Sequence, residues 1–183
     1  MNSRYSFLTL IFVALMMSCS PDLQEAKEIE EVGQKIMSEH GDNVEIIQTD
    51  KGNPTLRITA NKVIRYEAEE PYMEFPEGMS IYVYGEEGEV ESVLNADYGK
   101  MSEGSTEMIA ENNVVVVNST GEQLNTEHLV WDSEAQKIRS EGYVKISTPT
   151  EIIYGTRFEA DENFTNYQID SVIGTVTIKE GEF

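Results

Sequence analysis

At 183 residues, with 34 acidic side chains against 13 basic ones, the chain carries a formal charge of −21. That balance argues against nucleic acid and against anionic membrane surfaces as partners, since no basic patch exists to release counterions. A single cysteine, Cys19, excludes an internal disulfide framework.

The first residues have the plan of a targeting segment. Arg4 supplies a positive start, Phe7 to Met17 is almost unbroken apolar sequence, and Ser18-Cys19 follows at once. The apolar run is about half of the roughly 20 residues a spanning helix needs, so an uncleaved anchor is the weaker reading. Leu15-Met16-Met17-Ser18-Cys19 resembles a bacterial lipobox, in which the thiol takes a diacylglycerol before cleavage frees its amine. Residues 1–18 are therefore expected to be a lipoprotein signal peptide, and Cys19 the lipid anchor. Such an anchor would hold the exported chain at a membrane. A lone cysteine elsewhere would be a small buried hydrophobe; its place after an apolar run argues for lipidation.

Residues 19–42 differ from everything after them. Leu23, Ala26, Ile29, Val32 and Ile36 recur at helical spacing among five glutamates, with Pro21-Asp22 as a start and Gly41 as a stop. The apolar stripe is narrow, which predicts a lipidated tether, helical and solvated, or a partner-binding helix.

From residue 43 to residue 183 the texture is all β. Strand-like runs cover Val44–Ile47, Leu56–Tyr66, Met79–Tyr84, Val90–Tyr98, Glu107–Ala110, Gln136–Ser140, Tyr167–Val172 and Thr175–Lys179. Turn residues fall between them, as at Pro76-Glu77-Gly78, Ser119-Thr120-Gly121 and Glu141-Gly142. This predicts an all-β fold, a single open antiparallel jelly roll or sandwich; about 140 residues suffice for one core and not for two.

One pattern occurs twice inside this region. Val114–Val117, Gly121 and Leu124–Asp132 are followed by Val144-Lys145-Ile146, Pro149 and Ile153–Asp161. Val114 to Val144 is 30 positions and Leu124 to Ile153 is 29. Fainter copies include Leu94–Tyr98 and Leu56–Asn61. A hairpin unit of this size cannot bury a face alone, so repeated units must stack into continuous β-structure.

Chemistry-bearing constellations are scarce. Many carboxylate pairs exist, so no pair is informative, and Asp97, Asp132 and Asp161 close equivalent strands as turn-capping residues would. The two histidines, His40 and His128, form no zinc spacing, and no nucleophile elbow, phosphate loop or calcium loop is present. Asn118-Ser119-Thr120 and Asn163-Phe164-Thr165 are glycosylation sequons without meaning in a cell that makes lipobox proteins. No cofactor, no metal and no catalysis are expected.

The interior is the remaining candidate. Alternation points Leu56, Ile58, Ile81, Val83, Val114, Val116, Leu124, Trp131, Val144, Ile146, Ile152, Tyr154 and Phe158 inward. They can form an ordinary packed core, or the lining of a sandwich open along one seam to acyl chains. Each buried CH₂ contributes roughly 0.8 kcal/mol, so several chains would bind without any charged site. Alternation alone is compatible with both.

Several stretches together resemble the LptC family, the periplasmic component of the lipopolysaccharide export ABC transporter. They are Glu70–Gly78, Leu94–Tyr98, Asn113–Val116, Gly121–Asp132 and Tyr154–Ala160, in order across about residues 45–180. The resemblance implies an open jelly roll whose interior holds lipid A acyl chains. It implies three partners besides the membrane: lipopolysaccharide, LptF/LptG-like membrane subunits at one sheet edge, and an LptA-like periplasmic protein at the other. Better-known members carry a transmembrane helix where this chain has Ser18-Cys19. The residue-based alternative is a structural or adhesive surface lipoprotein with a closed core.

The last strand bears on that choice. Thr175-Val176-Thr177-Ile178 carries neither proline nor charge, the usual protection of a free edge. It either pairs back onto an early strand and closes the sheet, or accepts a strand of a second jelly roll.

Overall fold

The computed structural model describes residues 38–178. They form β1 (Ser38–Asp50), β2 (Asn53–Tyr66), β3 (Tyr72–Phe75), β4 (Met79–Tyr84), β5 (Val90–Ala96) and β6 (Tyr98–Ser102). After these come β7 (Glu107–Asn118), β8 (Gln123–Asp132), β9 (Lys137–Ser147), β10 (Glu151–Asp161) and β11 (Tyr167–Thr177). All eleven strands belong to one antiparallel sheet.

Long strands run the full height of the sheet and short ones fill half of it. β2 pairs with β4 through Leu56–Ala60 and with β3 through Ile64–Tyr66. β7 pairs with β5 through Val115–Asn118 and with β6 through Met108–Glu111. Beyond β7 the order is β8, β9, β10, β11, and β1 flanks β2 on the other side.

Register shows that this sheet is folded across its strands. Glu107, Asp132, Lys137 and Asp161 lie in one row, at the opposite end of β7 from Asn118. Flat, twelve residues of strand would separate those ends by roughly 40 Å. Yet the Asn118 side-chain amide donates to the Phe164 carbonyl, three residues past Asp161, at 2.8 Å. The sheet therefore doubles over into two facing layers. The upper layer holds Leu56–Ala60, β4, β5 and Val114–Asn118. The lower one holds Ile64–Tyr66, β3, β6 and Met108–Glu111.

The fold line is written in the backbone. Pairing slips between Glu111 and Val114, between Thr126 and Val130, and between Thr156 and Phe158. Left-handed φ values fall along it, at Asn43 (51°), Asn112 (62°), Asn113 (50°) and Arg157 (54°). Asparagine tolerates that region because its short side chain does not crowd the backbone; arginine has no such relief. Strands that bend at bulges and change layer are how jelly rolls turn corners.

Several expectations change. The helical stretch was to run to residue 42, but Ser38–Asp42 is strand, held by pairing from Ser38–Tyr66 to Asp42–Lys62; the rest of that stretch lies outside the described residues. Glu141-Gly142 is not a turn but the bend inside β9. The two final strands are one, β11, with a bulge near Gly174. Tyr72–Phe75, outside the expected strand-like runs, is a strand that seals the lower layer with Phe75 fully buried.

Candidate functional site: the interior and the sheet edges

Facing strands of both layers bring eleven of the thirteen expected lining residues into one interior. Leu56, Ile58, Ile81, Val83, Val114, Val116, Leu124, Trp131, Val144, Ile146 and Phe158 are 0–8% exposed. Ile152 and Tyr154 are not among them. Register sets Tyr154 against Lys145, on the outer face, where its ring stacks on the exposed Tyr143 at 6.2 Å. Ile153 stands against Ile146 and packs on the core in their place. The cause is the bulge at Arg157: it flips the phase of β10, so residues inward before it are odd-numbered and those after it, Phe158 and Ala160, are even-numbered.

The interior carries no buried charge among the described residues. Its buried polar side chains, Ser92, Asn118, Thr126 and Ser140, are neutral and satisfied. Thr126 and Ser140 hydroxyls meet at 3.1 Å, and Thr126 also donates to the Tyr143 carbonyl at 2.9 Å. The Ser92 hydroxyl donates to the Glu162 carbonyl at 2.9 Å. A cleft of about 570 Å³ lies elsewhere, along the fold line, and polar residues such as Asn43, Asn61, Asp97 and Asn113 line much of it.

The carboxylates serve turns. Asp132 accepts the N–H groups of Glu134 and Ala135, both at 3.1 Å. The Ala135 N–H, against the opposing effect of burial, holds its carboxyl below the ordinary range. Asp161 accepts from Thr165 N–H at 2.7 Å and from both the backbone and the side chain of Asn166. Burial pushes that carboxyl up, and these hydrogen bonds outweigh it, leaving the pKa lowered. Asp97 is different: it sits on the fold line and takes the Asn113 amide. Among the described residues no group of acidic, histidine or cysteine side chains could hold a metal ion. Cys19 lies outside them.

Both outer strands are free on one side among the described residues: β1 pairs only with β2, and β11 only with β10. Thr175, Val176 and Thr177 end β11 and are exposed, with Val172, Ile173 and Val176 at 58%, 64% and 55%. Ile178 follows the strand and donates its N–H to the Thr150 carbonyl at 2.8 Å. Alternation along an antiparallel strand then turns the Val176 N–H toward β10 and those of Thr175 and Thr177 outward. The free edge belongs to the two threonines.

Sequence reasoning missed Leu129, Ile138, Met108 and Phe164, all 0–2% exposed. The repeat carries the signal for one of them, since Leu129 precedes the inward Phe158 by 29 positions. Phe164 gives none, because it sits in a polar turn.

A folded β-sheet with an uncharged apolar interior, whose outer strands β1 and β11 are each paired on one side among the described residues, defines a β-jelly-roll module. The chain belongs to the family of lipopolysaccharide-assembly, LptC-related proteins, whose family model matches residues 7–175. No curated protein matches the chain. Membership makes it a component of lipopolysaccharide transport, in a family that is periplasmic, associated with the inner membrane and generally non-enzymatic.

Proposed function

We propose that the chain is a lipopolysaccharide-binding and transfer module, which takes lipid from the membrane subunits of an ABC transporter and passes it to an LptA-like jelly roll. The observation that carries this reading is the interior: two layers of apolar side chains, without a buried charge among the described residues, running out to β11, which is paired there on one side. Acyl chains would lie between the upper layer's Leu56, Ile58, Ile81, Val83, Val114, Val116, Leu124, Val144 and Ile146 and the lower layer's Trp131 and Phe158. Phosphorylated sugars would stay outside, because burying their charge is far costlier than burying hydrocarbon. The β1 edge would meet LptF/LptG-like subunits. Thr175, Val176, Thr177 and Ile178 would meet the LptA-like partner by strand addition. Cys19 would bear the lipid anchor, a modification that the mass of the mature protein would reveal.

Depletion tests this function: lipopolysaccharide should accumulate at the inner membrane and clear when the intact gene is restored. The tight burial of the interior favours a second reading, a structural or adhesive surface lipoprotein with a permanently closed core. Depletion would then leave lipopolysaccharide distribution unchanged.

A further inference from the structure

On the side away from the fold line the two layers end in loops, and one turn crosses between them. Glu162–Asn166 joins β10 to β11 at the end of the lower layer. Its backbone and side chains are nevertheless bonded to the end of the upper one. Ser92 donates to the Glu162 carbonyl at 2.9 Å, Asn118 to the Phe164 carbonyl at 2.8 Å, and the Asn163 amide to the Glu91 carboxylate at 3.2 Å. Asn118 is held rigid to receive the turn, since its side-chain Oδ1 accepts from Thr120 and Glu122.

Beneath this strap lies Phe164. Its side chain is fully buried, edge-on to Phe158 at 5.8 Å and against Tyr167 at 5.4 Å. Its backbone has φ +55°, a conformation that bulky side chains rarely adopt. Strain of this kind persists only where the surroundings impose it, and it collects at clamps and switches. The turn itself has no need of a phenyl ring. Asp132 caps the corresponding turn after β8 through the N–H groups of Glu134 and Ala135, and the left-handed residue of that turn, Gln136 (φ 53°), is exposed, with nothing inserted into the core.

We propose that the Phe164 seat is a binding subsite for one alkyl chain, kept filled by the protein's own ring until the Glu162–Asn166 turn swings out. This rests on the interior being an acyl path, and it supplies what the packed core otherwise lacks: a movable part. Hydrogen bonds at the strap and burial of the ring hold the closed state, backbone strain at Phe164 opposes it, and an entering chain shifts the population toward the open one. A chain entering the seat replaces apolar contact with apolar contact, and the water-facing turn loses only groups that can rebind to solvent.

Trp131 is the only tryptophan, and its indole N–H donates to the Glu162 carboxylate at 3.1 Å. It therefore reports from the turn itself. Quenching of its fluorescence by a stearate brominated in mid-chain would be followed in the whole chain. Glu91→Cys with Asn163→Cys, in a Cys19→Ala background, would lock the turn by a disulfide. The oxidised form should resist quenching and the reduced form should regain it. Phe164→Ala should be quenched at about tenfold lower stearate, because the self-occupied fraction no longer competes. Equal quenching of oxidised and reduced protein would overturn the gate and leave the transport reading standing. Absence of quenching in both the reduced form and Phe164→Ala would overturn the subsite. Should Phe164→Ala fail to fold, the disulfide pair decides alone. Depletion judges lipopolysaccharide transport independently of either result.

Discussion

The two copies of the internal repeat differ at the positions that matter most. β8 runs Leu124, Thr126, Leu129 and Trp131 along the interior, and β10 runs Ile153, Gly155, Phe158 and Ala160 at the equivalent places 29 positions on. Both bend in the middle, and both end on an aspartate that caps the following turn. The first copy then makes an exposed polar turn and continues into β9, which is paired on both sides. The second inserts Phe164 into the core and continues into β11, which is paired on one side among the described residues. The shared features build a sheet that bends; the differing ones lie where the sheet stops and its interior is sealed. The repeated pattern supplies the scaffold, and its second copy departs from it where a partner and a ligand would meet it.

Truncating the seal should have the largest effect. Phe164→Ala should lower stability by about 3 kcal/mol in urea unfolding, the usual loss for a fully buried phenylalanine. Gln136→Ala, in the corresponding turn, should change it by less than about 0.5 kcal/mol. Equal effects would mean that the two turns are alike.

Next come the equivalent positions Thr126 and Gly155. A Cβ on Gly155 would stand 2.5 Å from an Ile169 methyl and 2.8 Å from the Ser171 carbonyl. The methyl can move and the backbone cannot, so Gly155→Ala should cost about 2 kcal/mol by overpacking. Thr126→Ala removes hydrogen bonds to Ser140 and Tyr143 without a clash, and should cost about 1 kcal/mol. Thermal unfolding of the two variants would show whether close approach of β10 and β11 or the β8–β9 hydrogen bonds matter more.

The free edge gives a smaller but more selective contrast. Val176→Pro removes an N–H that faces β10 and should destabilise the domain by about 1 kcal/mol. Thr175→Pro removes one that faces outward. It should leave unfolding nearly unchanged while abolishing capture of an LptA-like partner. If Thr175→Pro unfolds the domain, the outer side of β11 is already occupied.

Acid provides the mildest test. Asp132 and Asp161 both titrate below the 3.8 of an unperturbed aspartate. Their contribution is fully present above that value and is lost as pH falls through the lower folded-state pKa. Melting temperature followed from about pH 5 to about pH 2 should therefore fall, and fall less steeply in Asp161→Asn. An unchanged slope in that variant would remove Asp161 from the stabilising groups.

Much of this arrangement is legible in the residues themselves. Val114, Val116, Val144 and Ile146 are inward by simple alternation, and Thr175-Val176-Thr177, uncharged in sequence, lies on a strand paired on one side among the described residues. Ile152 and Tyr154 were misplaced because alternation was carried unbroken through Arg157, whose left-handed backbone shifts the phase. The repeat contains the correction, since Ile153 stands 29 positions after the buried Leu124. Asn112-Asn113 marks the fold line openly, two left-handed residues in the middle of a strand. Phe164 is hidden for a different reason. Its burial depends on a turn reaching across to Ser92 and Asn118, more than forty residues earlier, and no local pattern records such a contact.

The central claim is that the interior of the folded sheet receives acyl chains, and cross-linking in cells addresses it most directly. Photoreactive residues would be placed at inward Val116, Ile146 and Ile153, and at their outward neighbours Val115, Lys145 and Tyr154. Capture of lipopolysaccharide at the inward set alone is the expected result. Equal capture at both sets, or none at the inward positions while lipopolysaccharide transport proceeds, would contradict it.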